Sequence, residues 1–171
     1  VIILEIVERP AKQGPRCQII GISPEVPHGT PYPVIAGDGT GPAVSFTRAE
    51  TADCMLIGFV ITRTQAHPTS AVYCYGADPS IANCLIVGNR GAGTDGAAVY
   101  CQKGAPSFVN CTIADNDCGE QGAGLYITDS NAVVVNSIIW NNEPAAMLAK
   151  GTALPSLSYS DIQGGWPGLG N

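Results

Sequence analysis

The sequence predicts an all-β fold, a single-chain solenoid of short parallel strands wound into stacked coils. Three observations predict it. The stretch AVYCYGADPSIANCLIVGN (residues 71–89) returns as AVYCQKGAPSFVNCTIADN (residues 98–116), 27 positions later. Self-similarity at such a period marks a repeat architecture, in which each unit buries its apolar face only against its neighbours. The apolar residues fall in Val- and Ile-rich triplets separated by Gly, Pro, Asn and Asp, which reads as short strands between tight turns. No segment sustains a 3.6-residue apolar spacing, so long amphipathic helices are excluded.

The elements follow in chain order. Residues 1–33 open on the apolar run VIILEIV but do not match the repeat, and are expected to form an irregular first coil. Regular coils are expected over residues 34–171, the whole of 1–171 forming one domain and reading as a piece of a longer polypeptide. Val44-Ser45-Phe46 opens the first regular coil and Gly58-Phe59-Val60-Ile61 closes it. Val72-Tyr73-Cys74 and Asn83-Cys84-Leu85-Ile86 bracket the next, then Val99-Tyr100-Cys101 and Asn110-Cys111-Thr112-Ile113. Leu125-Tyr126-Ile127 and Asn136-Ser137-Ile138-Ile139 bracket a fourth, and the weaker copy Tyr159-Ser160-Asp161-Ile162 ends the series. Each unit of 23–27 residues holds three strand-like pieces, for about five to six coils in all.

Alternation within each piece assigns the faces. Phe59, Cys84, Cys111, Ser137 and Ser160 share one position, and Ile61, Ile86, Ile113, Ile139 and Ile162 share another two residues on; both are expected to point inward. Val60, Leu85, Thr112, Ile138 and Asp161 lie between them and drift in polarity, as outward positions do. Such a unit closes on itself as one coil of a right-handed parallel β-helix, stacked on the next at about 4.8 Å. Asn83, Asn110 and Asn136 stand where the chain turns from second to third strand, and Asn89, Asn116 and Asn142 follow the third. Asn tolerates the left-handed conformation, and its amide bonds the amide one coil away, so two ladders are expected.

Composition narrows the function. The 171 residues suffice for one core; 45% are apolar and only 13% charged, well below the usual share of charge. A net charge of −6 leaves no basic surface to release phosphate counterions, which excludes nucleic-acid binding. No apolar run approaches the length of a membrane span. The seven cysteines lack C-x-x-C pairs, and His28 and His67 stand alone beside prolines, so zinc-site spacing is missing. Cys74 is equivalent to Cys101, and Cys84 to Cys111; their counterparts Phe46, Ile127 and Phe59 are apolar, which predicts small buried hydrophobes in stacks. Adjacent coils also bring equivalent cysteines within disulfide range, so both free and bridged forms stay open.

Five stretches carry a family likeness: VIAGDGTGPAVSF (34–46), LIGFVIT (56–62), the two 27-residue copies, VVNSIIWNN (134–142) and LSYSDIQGGWPGLGN (157–171). Together they resemble the pectin-lyase-like right-handed β-helix superfamily, and most of all large, secreted, repeat-rich β-helix proteins of bacteria. The resemblance implies an extracellular or cell-surface location. It is specific for the fold, which hosts many functions. It also implies that a carbohydrate-active member would use the outer face of the first strand and the loop before it.

On that face Tyr73, Tyr100 and Tyr126 are expected, one per coil, with Ser45 in the coil before. As a sugar platform, their rings would stack against the apolar side of a sugar. As a structural ladder, they would pair with one another. Asp95, Asp117 and Glu120 in the neighbouring loops are candidate ligands for Ca2+, the one cofactor weighed, since hard cations take oxygens from such loops. The same residues serve equally as turn formers. A lyase of this superfamily needs a basic residue beside its metal; on this side only Lys103 is found, and it is expected to pair with Asp129 one coil later. A hydrolase needs paired carboxylates, for which Asp115 and Asp117 are the candidates, Asp115 lying in the third-strand segment away from the tyrosines. GDGTG (37–41) lacks the Lys-Ser/Thr and the helix of a phosphate loop and reads as a turn.

The function expected is therefore a non-catalytic extracellular β-helix scaffold segment, carbohydrate-binding or adhesive, with polysaccharide or other surface proteins as partners. One alternative is a polysaccharide lyase or glycoside hydrolase. Another is a self-associating filament or surface-layer module, because open coil ends expose unpaired strands that pair end to end.

Overall fold

The computed structural model describes residues 18–20, 32–37, 41–63, 70–91, 98–118 and 124–167. Two strands, β1 (Gln18–Ile20) and β2 (Val34–Gly37), precede five complete three-stranded coils. These are β3 (Val44–Phe46), β4 (Met55–Ile57) and β5 (Val60–Arg63); β6 (Val72–Tyr75), β7 (Ser80–Ala82) and β8 (Leu85–Val87); and β9 (Val99–Gly104), β10 (Ser107–Val109) and β11 (Thr112–Ala114). The series continues with β12 (Leu125–Ser130), β13 (Val133–Val135) and β14 (Ile138–Trp140), and ends with β15 (Met147–Lys150), β16 (Ser156–Ser158) and β17 (Asp161–Ile162).

Equivalent strands of successive coils pair in parallel, which makes three sheets running along one axis. The first holds β3, β6, β9, β12 and β15; the second holds β1, β4, β7, β10, β13 and β16; the third holds β2, β5, β8, β11, β14 and β17. Parallel stacking thus reaches back to β1, whose Gln18 pairs with Met55.

Register is set by what points inward, because a one-residue slip would turn every inward side chain out. Phe46, Cys74, Cys101 and Ile127 line the first sheet, matched residue for residue. Leu56, Ile81, Phe108, Val134 and Leu157 line the second, and Ile61, Ile86, Ile113, Ile139 and Ile162 the third. All are buried and form one core, and each such aliphatic side chain contributes about 1.5–3 kcal/mol. The residues between them, such as Val60, Leu85 and Thr112, are only partly covered.

Two corners are held by side chains. Asn83, Asn110 and Asn136 turn the chain from second to third sheet at φ of 53°, 53° and 49°, a region Asn tolerates and branched residues avoid. Their exposed amides bond upward, Asn110 Nδ2 to Asn83 Oδ1 at 3.2 Å and Asn136 Nδ2 to Asn110 Oδ1 at 2.7 Å. The second ladder, Asn89–Asn116–Asn142, is buried.

Phe59, Cys84, Cys111, Ser137 and Ser160 form the predicted inward stack. Its polar members also bond the backbone, which the reading of Cys84 and Cys111 as plain hydrophobes did not include. Ser137 Oγ donates to Val135 O at 2.9 Å, Ser160 Oγ to Ser158 O at 2.9 Å, and Cys111 Sγ to the equivalent Val109 O at 3.5 Å. Cysteine and serine are interchangeable here because each offers one donor on a single Cβ. Cys74, Cys84, Cys101 and Cys111 are free and buried, Cys118 is buried, and Cys54 is disulfide-bonded.

Candidate functional site

Strands β6, β9 and β12 set Tyr73, Tyr100 and Tyr126 in register on the outer face of the first sheet. Tyr73 and Tyr100 have ring centroids 5.6 Å apart at 15°, and Tyr100 and Tyr126 5.2 Å apart at 11°. Near-parallel rings this close overlap face to face with an offset, since coplanar rings side by side would collide. Both faces of Tyr100 are thus turned toward other tyrosines. A sugar laid on the outside meets ring edges and hydroxyls, not the open ring faces that a stacking platform requires. Tyr126 is also only 4% exposed. Neither feature is written in the spacing, which places the rings but does not orient them.

Two lysines flank the column. The Lys103 ammonium donates to the Tyr75 hydroxyl at 3.0 Å and sits 5.1 Å from that ring's centroid. Lys150 stands 5.2 Å from the centroid of Tyr126. The expected Lys103–Asp129 pairing gives way to this contact. The Tyr75 hydrogen bond is the chief cause that raises the Lys103 pKa, and the Asp129 charge adds a lesser push. Asp129 instead accepts the Thr152 N–H at 2.8 Å and the Thr152 hydroxyl at 3.0 Å, which hold its carboxyl below the usual range. A residue in a solenoid has one neighbour a coil earlier and another a coil later, and here the earlier one prevails.

Of the three candidate Ca2+ ligands, Asp95 and Glu120 lie outside the described residues. Asp117 is exposed and stands at the corner leaving the third sheet. There its backbone bridges in parallel to Arg90 one coil earlier and to Glu143 one coil later. Among the described residues no group of three or more His, Cys, Asp or Glu is placed to hold a metal ion.

That corner contains a groove of about 410 Å³ lined by Gly88, Arg90, Asp115, Asn116, Asp117, Asn141 and Glu143. Two axial columns form its sides. Gly88, Asp115 and Asn141 make one, all with left-handed φ of 63°, 55° and 52°. Arg90, Asp117 and Glu143 make the other. Between them runs the buried asparagine ladder. Asn141 Nδ2 donates to Asp115 Oδ1 at 2.6 Å, tying one side together. Sequence reasoning found Asp115 and Asp117 but missed Arg90, Asn141 and Glu143. The residue type changes at each step of these columns, so the repeat pattern does not single them out.

A family model described as a right-handed beta helix region matches residues 48–161, more than half of the chain. No curated protein and no solved structure matches it.

Proposed function

Because the chain belongs to the right-handed β-helix family, we propose that it is a rigid, non-catalytic scaffold segment of an extracellular protein, presenting its surface to polysaccharide or to other surface proteins. One observation carries this reading: the outward polar side chains are spent on bonds along the axis. Ala105 N–H donates to Asp78 Oδ1 at 2.6 Å, Thr152 N–H to Asp129 Oδ1 at 2.8 Å, and Asn141 Nδ2 to Asp115 Oδ1 at 2.6 Å, each joining neighbouring coils. The tyrosine column and Lys103 follow the same rule. Side chains committed to their neighbours stiffen a rod and leave little for turnover. Lys103, the basic residue expected beside the tyrosine face, is bonded to Tyr75.

The test is a set of neutral and acidic polysaccharides, with and without Ca2+, assayed for unsaturated and for reducing ends. No release is expected. Release abolished by Asp117→Ala would overturn the scaffold reading in favour of a lyase or hydrolase.

One observation favours a second reading, the self-associating module. The outer face of the third sheet runs without charge through Val34, Val60, Leu85, Thr112 and Ile138, paired in register, until Asp161 in the last coil. Val34 is 40% and Ile138 46% exposed. A flat apolar strip edged by polar residues suits a second copy of itself. Sedimentation that depends on concentration, and loses that dependence in Ile138→Lys, would favour it over the monomeric scaffold.

A further inference from the structure

We propose that the outer face of the third sheet joins two copies of this chain, packed face to face with their long axes antiparallel. The inference rests on the self-associating reading above and adds to it the geometry of the pair. Three observations lead there.

The first is charge. The chain carries a net charge of −6, from 14 acidic and 8 basic residues. A second copy brings the same charge, so two copies meet at least cost where neither presents any. The face holds two outward columns. One is Val34, Val60, Leu85, Thr112 and Ile138. The other, two residues further along each strand, is Ala36, Thr62, Val87, Ala114 and Trp140. None of these is charged, and charge enters only at Asp161 in the last coil.

The second is relief. The sheet beneath is even, but its side chains differ in size. Ile138 and Trp140 stand highest, 46% and 47% exposed, beside the smaller Thr112 and Ala114. The next coil back carries the larger Leu85 and Val87, and the one before it Val60 and Thr62. A two-fold axis parallel to the strands, midway between β8 and β11, reverses this order in the second copy. Ile138 and Trp140 then face Val60 and Thr62 of that copy, while Thr112 and Ala114 face its Leu85 and Val87. The larger pair meets the smaller one each time, which is the self-complementarity an isologous contact requires.

Parallel long axes would instead set each coil on its own equivalent. Ile138 and Trp140 would meet themselves, and Thr112 and Ala114 would face each other across a void that forfeits dispersion contacts. That arrangement also brings the two Asp161 carboxylates together. The antiparallel one holds them at opposite rims, five strand spacings or about 24 Å apart.

The third is area. Two outward positions about 7 Å apart, over five strands about 4.8 Å apart, make a face of a few hundred Å² per copy. That lies at the low end of specific interfaces, so the contact is a reversible one. Sheets stacked about 10 Å apart with their strands aligned are the ordinary packing of such faces.

The test is sedimentation equilibrium of the full chain from micromolar to millimolar concentration, with two variants that match only in the antiparallel pair. Ile138→Glu sets a carboxylate against Val60 of the second copy, and Val60→Lys sets an ammonium against its Ile138. Each alone should weaken association by about tenfold or more, because it desolvates a charge without a partner. Mixed one to one, the two charges meet across the interface, and association should return to within about threefold of the wild type. Trp140→Glu mixed with Thr62→Lys repeats the test on the second column, and circular dichroism of each variant reports its fold. A wild type that stays monomeric at millimolar concentration would overturn this pairing and the self-associating reading together. Loss in the single variants with no recovery in either mixture would sink the antiparallel arrangement and leave self-association standing. Association indifferent to all four substitutions would rule out this face and move the contact elsewhere on the chain.

Discussion

Asn116 Oδ1 accepts two hydrogen bonds from Asn89 one coil away, from the backbone N–H at 2.9 Å and from the side-chain amide at 2.9 Å. Asn142 repeats the arrangement toward Asn116, at 3.2 and 2.7 Å. Each amide of this ladder also donates to a carbonyl of the preceding coil, Asn116 to Ile86 O and Asn142 to Ile113 O. One side chain therefore satisfies several buried groups at once, and removing it leaves them all unpaired.

Asn116→Leu should consequently destabilise by about 3 kcal/mol or more, since each buried group left unsatisfied costs about 1–3 kcal/mol. Asn110→Leu, in the exposed ladder, loses bonds that water replaces and should cost about 1–2 kcal/mol, mostly from its left-handed backbone. Urea unfolding of the two variants checks the order. Equal losses would mean that burial does not separate the ladders.

Phe59 is buried at the head of the inward stack, in the place that Cys84 and Cys111 take in later coils. Phe59→Ala should cost about 3–5 kcal/mol through the cavity it leaves. An unchanged denaturation midpoint would contradict the packing of this corner.

Burial pushes the Cys111 thiol up to about 12 and raises Cys84 and Cys101 as well. The thiolate is the reactive form, so at pH 8 these groups should stay inert in the folded protein. Iodoacetamide followed by mass spectrometry should leave Cys84, Cys101 and Cys111 unmodified until denaturant is added. Labelling of Cys111 in the native state would be inconsistent with its burial. Cys111→Ser should change stability by less than about 1 kcal/mol, because Ser137 makes the same carbonyl bond from the same position.

Asp129 has its carboxyl held below the usual range, chiefly by the Thr152 N–H. A depressed folded pKa adds stability that is present above the unfolded value, near 3.9, and is lost as pH falls through the lower folded value. Acid unfolding of the wild type should therefore steepen in the window below about pH 4, and Asp129→Asn should remove that part of the pH dependence. A variant with an unaltered acid limb would show that the Thr152 contact does not bear on stability.

The parts of this fold legible in the sequence are those where one residue type recurs at one position. Asn83, Asn110 and Asn136 are such a series, and so are Ile61, Ile86, Ile113 and Ile139. Repetition reveals a coil position because parallel stacking puts like on like. It does not reveal which of two axial neighbours a side chain selects, and so Lys103 was matched to Asp129 when Tyr75 holds it. Nor does it reveal a site built from unlike residues. Arg90, Asp117 and Glu143 form one column, yet nothing in their chemistry repeats. The tyrosine column was legible as a column, but its ring orientation depends on packing.

That orientation supplies the last prediction. Tyr100 lies between Tyr73 and Tyr126, so Tyr100→Ala removes two ring contacts together. Stacked pairs contribute about 0.5–1.5 kcal/mol each beyond the area they bury, so a loss of about 1–3 kcal/mol is expected. Tyr73→Ala removes the contact with Tyr100 and the more distant one with Tyr75 at 6.5 Å, and should cost less. A platform that served sugar would behave differently. Truncating its middle ring would abolish glycan affinity while leaving stability nearly untouched, because ring faces kept open for a ligand contribute little to the apo fold. Thermal unfolding and glycan titration of the same Tyr100→Ala sample therefore separate the two roles. Lost stability with glycan binding unaltered is the expected result. Intact stability with binding lost would return the sugar site to the first sheet.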